Sequence, residues 1–194
     1  MSGILVGSGW HPKLFQAEMQ ELLPTTELFQ ISDNKRILHS SEVIDSELNH
    51  LKNSATLDTY LYPANWVEYE SEKELVNELV TNFRTWAKSP EVEQERDNKA
   101  KAAIRWSRIG SKGKGHSGVE FASKLGEILV SLGWKIDLEN PTHEFILIQD
   151  SEYKIAIWGI VKITEPRKGW SNRVATQRPF FKPISLDPRH ARLM

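Results

Sequence analysis

Short apolar runs and helical periodicities alternate along the first 65 residues. Residues 4–8 form an apolar run that predicts a short strand, and His11-Pro12 then opens a helix. Phe15, Met19, Leu22 and Leu23 share one face of that helix, and Pro24 stops it. Residues 27–32 and 36–40 read as strands around Asp33-Asn34, a good hairpin turn pair. Val43, Ile44, Leu48 and Leu51 mark a second amphipathic helix, and residues 56–62 predict a strand ended by Pro63. The order strand, helix, strand, strand, helix, strand predicts two helices on one face of an antiparallel sheet.

A longer helix is predicted over residues 71–87, with Leu75, Val76, Leu79, Val80, Phe83 and Trp86 on one side and Glu72, Lys73, Glu74, Asn77 and Glu78 on the other. Residues 89–98, with Pro90 and four acids, are polar and aperiodic and read as a linker or exposed loop. Residues 101–109 read as a strand running into the polar loop 110–116. The best-marked element follows: Ser117 and Glu120 form an S-x-x-E capping box, Phe121, Leu125, Ile128, Leu129 and Leu132 repeat at helical spacing, and Gly133 stands where a left-handed residue ends a helix. Residues 134–138 then predict a short strand and 139–142 a turn. Residues 145–148 and 153–161 predict a hairpin across 149–152, apolar on successive residues and so covered on both faces. A last helix starts at Asp187-Pro188. The fold class expected is α+β, beginning with a ferredoxin-like sandwich.

Charge changes this picture more than composition does. Residues 1–98 hold 8 Lys and Arg against 17 Asp and Glu (net -9), residues 99–161 hold 9 against 7 (+2), and residues 162–194 hold 8 against 2 (+6). An acidic front and a basic back suggest a polyanion held by the later part of the chain. Cysteine is absent, which excludes disulfides, thiolate zinc sites, iron-sulfur clusters and a cysteine nucleophile. No run reaches the ~18 apolar residues of a membrane span, and the start has no positive leader segment, so the protein is expected in the cytoplasm.

Catalytic groups are sparse. The six histidines show no H-x-x-x-H or H-E-x-x-H spacing, and no G-x-S-x-G elbow occurs, so neither a metal site nor a serine nucleophile is expected. The loop is more informative. Lys99, Lys101, Arg105, Arg108, Lys112 and Lys114 fall between residues 99 and 118 without an acid, and Gly110, Gly113 and Gly115 let backbone approach a phosphate. The pattern resembles a nucleotide loop only superficially, because Gly113-Lys114 is followed by Gly115 rather than Ser or Thr. An RNA phosphate at the positive end of the capped helix remains, with a solvated basic loop as the plain alternative. Trp66, Trp86, Trp106, Trp134 and Trp158 lie in or beside regular elements and are expected in cores, whereas Trp170 sits in an irregular basic segment and is a candidate for base stacking. The candidate RNA-binding residues are therefore Lys99, Lys101, Arg105, Arg108, Lys112, Lys114, His116, Trp170, Arg173, Arg178 and Lys182.

Several of these residues carry a family pattern. Ala103-Ile104-Arg105-Trp106-Ser107-Arg108, the loop to His116, the capped helix, Lys135-Ile136-Asp137-Leu138-Glu139-Asn140-Pro141 and the closing hairpin together resemble a THUMP domain, whose pattern ends in a VDL-x-NP turn. The preceding sandwich is similar to the ferredoxin-like domain that accompanies THUMP. Residues 178–194, Arg178-Pro179-Phe180-Phe181-Lys182-Pro183-Ile184-Ser185-Leu186-Asp187-Pro188-Arg189-His190-Ala191-Arg192-Leu193-Met194, resemble the linker that leads into the methyltransferase domain of archaeal tRNA guanosine-N2 methyltransferases, related to the eukaryotic enzymes acting on guanosine ten.

The resemblance implies a ferredoxin-like domain over residues 1–70, a THUMP domain over 71–165, and a linker over 166–194. It implies tRNA as partner, held by its acceptor stem and 3′ end, a methyltransferase domain in cis or in trans, and S-adenosylmethionine as cofactor of the parent enzyme, with none in this chain. The family's catalytic motifs are missing: Asp187-Pro188 is followed by Arg189-His190, and Asn140-Pro141 by Thr142, where an Asp/Asn-Pro-Pro-aromatic motif would hold the target amine. The chain is thus expected to be the recognition part of a longer or split enzyme, catalysing nothing alone. The runner-up is a non-catalytic THUMP adaptor presenting tRNA to a separate enzyme such as an acetyltransferase. A third reading, the front of a 4-thiouridine synthetase, suits residues 178–194 poorly.

Overall fold

The computed structural model describes residues 2–8, 11–97, 99–110, 118–166, 168–171 and 187–194. They form two compact units, one of residues 2–60 with 162–194 and one of residues 61–161. Fifteen elements are seen among the described residues: β1 (Ser2–Gly7), α1 (Pro12–Leu22), β2 (Leu28–Gln30), β3 (Ile37–Ser40), α2 (Asp45–Leu51), β4 (Leu57–Glu68), α3 (Glu72–Ala87), α4 (Pro90–Gln94), β5 (Lys101–Ile109), α5 (Gly118–Ser131), β6 (Lys135–Ile136), β7 (His143–Asp150), β8 (Ile155–Thr164), α6 (Lys168–Ser171) and α7 (Pro188–Leu193). The fold is mixed α/β.

In the first unit the strands lie in the order β2-β3-β1-β4. β3 runs antiparallel to both neighbours, with Leu28 opposite Ser40 and Ile4 opposite His39. Pro12 sits in the first turn of α1, where a missing N–H costs nothing, and Phe15, Glu18, Met19 and Leu22 are its buried side chains. Phe15 lies against Gly7 so closely that a Cβ there would stand 2.5 Å from its ring.

Two glutamates are inside this unit. Glu18 on α1 accepts hydrogen bonds from the Ser54 hydroxyl at 2.6 Å, the Ala55 amide at 2.8 Å, the Thr56 amide at 3.0 Å and the Thr56 hydroxyl. Glu47 on α2 accepts from the Thr25 amide and hydroxyl, each at 2.8 Å, and from the Thr26 hydroxyl at 2.6 Å. These hydrogen bonds outweigh the burial that would raise it and hold the Glu47 carboxyl below the ordinary carboxylate range. They also explain a departure from expectation: α2 starts at Asp45, leaves Ile44 exposed at its N-cap, and buries Glu47 and Leu51 rather than a purely apolar stripe.

β4 does not end at Pro63. It continues to Glu68, with the Tyr62-Pro63 peptide bond cis. Space for the chain at Pro63 comes from Gly159 on β8, where a Cβ would stand 2.9 Å from Leu61 Cβ, Ala64 Cβ and the Pro63 carbonyl oxygen.

In the second unit the order is β4-β8-β7-β5-β6. β5 is parallel to β6 and β7, and β7 is antiparallel to β8. α3 and α5 cover one face of this sheet: Leu75, Leu79, Phe83 and Trp86 of α3 and Phe121, Leu125, Ile128 and Leu129 of α5 pack with Ala102, Ile104, Phe145, Leu147 and Trp158. Trp86 and Trp134 meet Phe145 edge to face, with ring centroids 6.1 and 5.1 Å apart. Ser71 caps α3, accepting from the Glu74 amide at 3.3 Å, and Gly133 ends α5 region at φ +91° as its sequence predicts. Residues 90–94, read from sequence as linker, are a short helix because Ser89-Pro90 starts one and Val92 is fully buried beneath it. Of the five tryptophans expected in cores, Trp86, Trp134 and Trp158 are buried, while Trp66 and Trp106 are half-buried. The capping residue Ser117 lies outside the described residues. No described helix is long and apolar enough to cross a membrane.

Replacing Glu18 by Ala strands the donors of Ser54, Ala55 and Thr56 in a buried setting. The expected loss is about 3 kcal/mol of stability, read as a lower urea midpoint, because each unsatisfied buried group costs about 1–3 kcal/mol.

Candidate nucleic-acid interface

β5 carries most of the described candidates, and side-chain alternation sorts them. Lys101 and Arg105 leave one face of the strand, while Trp106 and Arg108 leave the face that packs against α3 and α5. Lys99 precedes the strand, exposed, with its amide donating to Asp97 Oδ1 at 2.8 Å.

Lys101 and Arg105 both engage the turn that follows β6. Lys101 Nζ donates to Asp137 Oδ2 at 2.8 Å, and Arg105 Nη2 donates to the Leu138 carbonyl at 2.9 Å, with its Nε 3.5 Å from Glu144 Oε1. The other Asp137 oxygen accepts from the amides of Glu139 at 3.1 Å and Asn140 at 2.9 Å, which shapes the turn before Pro141. The Lys101 hydrogen bond, followed by that from the Asn140 amide, lowers the Asp137 carboxyl to about 2. Such exposed pairs are weak, so a polyanion can compete for the two cations.

A groove of about 420 Å³ opens between α5 and this turn, walled by Val119, Ile136 and Leu138 over Ile104, with Arg105 at its rim. Val119 and Leu138 are well exposed. An apolar wall beside a cation suits an unstacked base and its phosphate.

Arg108 stands at the far end of β5. Its guanidinium carbon is 5.2 Å from the Trp106 ring centroid, and its Nη2 donates to Gln149 Oε1 at 3.1 Å. The sequence pattern puts Gln149 in the hairpin turn, whereas it lies in β7, fully buried, directly across from Arg108 in the parallel register. Its Nε2 donates to the Tyr69 hydroxyl at 3.1 Å and to Glu72 Oε1 at 2.7 Å, and the Tyr69 hydroxyl donates to the Asp150 carbonyl at 3.2 Å. Burial pushes the Tyr69 hydroxyl pKa up. The indole of Trp106 is fitted to the start of α5: a Cβ on Gly118 would stand 2.2 Å from its Cδ2 and Cε3 atoms.

Trp170 belongs to the other unit, on α6. It is half-buried there, and its Nε1 donates to the Asn53 carbonyl at 3.2 Å. Lys112, Lys114, His116, Arg173, Arg178 and Lys182 lie outside the described residues. Among the described residues no group of three His, Cys, Asp or Glu side chains could hold a metal ion. The residues that sequence reading passed over are Gln149, Tyr69 and Glu72. The β5/β7 register sets Gln149 opposite Arg108, and Gln149 in turn reaches Tyr69 and Glu72; register between distant parallel strands leaves no local mark in sequence.

Comparison with known proteins places this fold. No family model matches the chain, and no curated protein matches it. Solved structures do. TrmN from Thermus thermophilus superposes with a TM-score of 0.57 at 16% identity, over 92% of this chain and 56% of that one. PH1313 from Pyrococcus horikoshii gives 0.53 at 19% identity, over 84% and 55%. A 4-thiouridine synthetase in complex with RNA and bound ATP gives 0.52 at 14% identity, over 82% and 41%. Further matches include a possible methylase of Clostridium difficile and the SAH complex of SMU.472. The likeness establishes the fold, and this chain spans between 40% and 56% of the matched chains.

The Lys101 and Asp137 pair makes a pH-dependent contribution to stability with a defined sign. A carboxyl lowered from 3.8 to about 2 by folding stabilises the protein fully above pH 3.8, and the contribution is lost as pH falls through about 2. A carbon-detected NMR titration of Asp137 should give a midpoint near 2, and Lys101→Met should move it up toward 3.8. An unchanged midpoint in that variant assigns the shift to the turn amides alone.

Proposed function

We propose that this chain is the tRNA-recognition part of an S-adenosylmethionine-dependent tRNA guanosine-N2 methyltransferase and catalyses nothing by itself. In this reading a ferredoxin-like domain (residues 1–70) and a THUMP domain (residues 71–165) hold the acceptor stem and 3′ end of tRNA, and residues 166–194 lead to a catalytic domain. The observation that carries it is the match, over 82% of this chain, to part of a 4-thiouridine synthetase whose structure is a complex with RNA. The first unit supports the ferredoxin-like assignment, since β1-α1-β2-β3-α2-β4 with strand order β2-β3-β1-β4 is the arrangement of that sandwich. The exposed Arg105 at the rim of an apolar groove, with the exposed Lys99 just before and Lys101 at the start of the same strand, supports an RNA face on the second unit. The methyltransferase parent and its cofactor rest on the resemblance of residues 178–194 and on the SAH complex among the structural matches.

Filter binding with unmodified tRNA at several salt concentrations tests the reading. Log affinity should fall linearly with log salt, with a slope of roughly -0.7 to -0.9 per neutralised phosphate. Removing the terminal CCA should weaken binding more than altering the anticodon loop, and equal affinity for full and CCA-less tRNA counts against the THUMP assignment. Lys112→Glu and Lys114→Glu should each weaken binding while leaving the thermal midpoint within a few degrees of wild type. S-adenosylmethionine at millimolar concentration should give no calorimetric binding. Methylation of tRNA by the chain alone would overturn the proposal, and methylation only after a catalytic domain is supplied supports it.

A further inference from the structure

A glycine in the middle of a helix weakens it relative to alanine, and α5 carries one at Gly126. Close packing or a left-handed backbone usually accounts for a glycine. Gly118 and Gly159 stand where a Cβ would meet a neighbour at 2.2 and 2.9 Å, and Gly110 and Gly133 each take a φ of +91°. Neither reason holds at Gly126. A Cβ there would come no nearer than 4.0 Å, at Ile104 Cδ1, to a described atom outside the helix, and its backbone is not left-handed. What a larger side chain at 126 would fill is the groove of about 420 Å³ between α5 and the turn after β6.

We propose that this groove is a pocket for one unstacked nucleobase of a single-stranded RNA segment, with its phosphate on Arg105, and that Gly126 is the residue that keeps it open. This rests on the RNA-binding reading above and names what the apolar part of that face takes. A base within a duplex has both faces stacked and cannot enter, whereas an unpaired base presents a flat face and a polar edge. Val119, Ile136 and Leu138 meet the face, and Val119 and Leu138 stand 79% and 57% exposed until it arrives. The Ser123 hydroxyl, the one uncharged polar side chain in the described lining, can donate to the edge or accept from it. Arg105 decides between a nucleotide and a plain apolar peptide. Its Nη2 donates to the Leu138 carbonyl at 2.9 Å, which keeps a positive charge at the rim, where a ligand with an anion beside a flat ring fits. Its Nε lies 3.5 Å from Glu144 Oε1, but both side chains are exposed, so a phosphate can replace that contact.

The test blocks the groove from one wall and strips the other. Gly126→Leu fills it from α5, and Leu138→Ser removes the opposite wall while leaving the main-chain carbonyl that Arg105 binds. Each should weaken filter binding of unmodified tRNA about tenfold, the effect of one base contact, at an unchanged salt slope. Arg105→Met should instead lower the slope by about 0.7–0.9, the loss of one phosphate contact. Gly126→Leu should melt at or above the wild-type temperature, since leucine is the better helix former and enters open space, which separates a blocked pocket from a damaged fold. Transcripts made abasic at each unpaired 3′ nucleotide in turn identify the base. One of them should bind the wild-type chain about tenfold more weakly than intact tRNA does, and should bind Gly126→Leu no more weakly than intact tRNA does. Additive losses, a slope lowered by Gly126→Leu, or wild-type affinity in that variant overturn the pocket while leaving RNA binding in place. Wild-type affinity in Gly126→Leu together with loss of a self-association seen by sedimentation makes the groove a protein interface and likewise overturns the proposal. Absence of tRNA binding by the wild-type chain at low salt overturns the RNA reading itself, and this proposal with it.

Discussion

Eight residue pairs in parallel register join β5 to β7, and the second unit is organised around that pairing. Parallel strands cannot be joined by a tight turn, so the chain leaving Ile109 has to travel back along the sheet before β7 can begin. α5 fills the return path, and it in turn needs an apolar partner, which α3 and the β5/β7 face provide. The same register decides where charge goes. It sets Arg108 opposite Gln149 and Ala103 opposite Glu144, and a slip of one residue would send every one of these side chains to the other face.

Elements whose evidence is local were readable from sequence. The periodicity of Leu75, Leu79, Phe83 and Trp86 and that of Phe121, Leu125, Ile128 and Leu129 predicts α3 and α5, and Gly133 terminates the latter at the expected left-handed angle. Departures occur where tertiary contacts decide. Pro63 fails to stop β4 because Gly159 gives the backbone room, and Val92 converts an acidic stretch into α4 because one buried side chain anchors it. The candidate site was legible as a list of cations and not as a surface. Alternation along β5 divides Lys101 and Arg105 from Arg108, and the partners of all three, Asp137, Leu138 and Gln149, lie 33 to 41 positions away in sequence.

The acidic character of the first 98 residues illustrates a related limit of counting. Charge summed over a segment suggests a solvated surface, yet Glu18 and Glu47 point inward and collect hydrogen bonds from the loops that follow α2 and α1. Each fixes a connection between a helix and the next strand that apolar packing alone would leave loose. A buried carboxylate with several donors is a directional constraint, whereas a leucine in the same place would fill volume without specifying which amides come to it.

Gly118 and Trp106 share one small volume at the start of α5, and the indole already occupies it. The two positions therefore form an epistatic pair, in which the fitness of any residue at 118 is conditional on what stands at 106. A lineage leaves glycine only after the indole has given way to something smaller, and it regains tryptophan only by first restoring glycine. Substitutions at the beginning of this helix thus have an order in evolutionary time, imposed by nothing more than the space for one carbon atom.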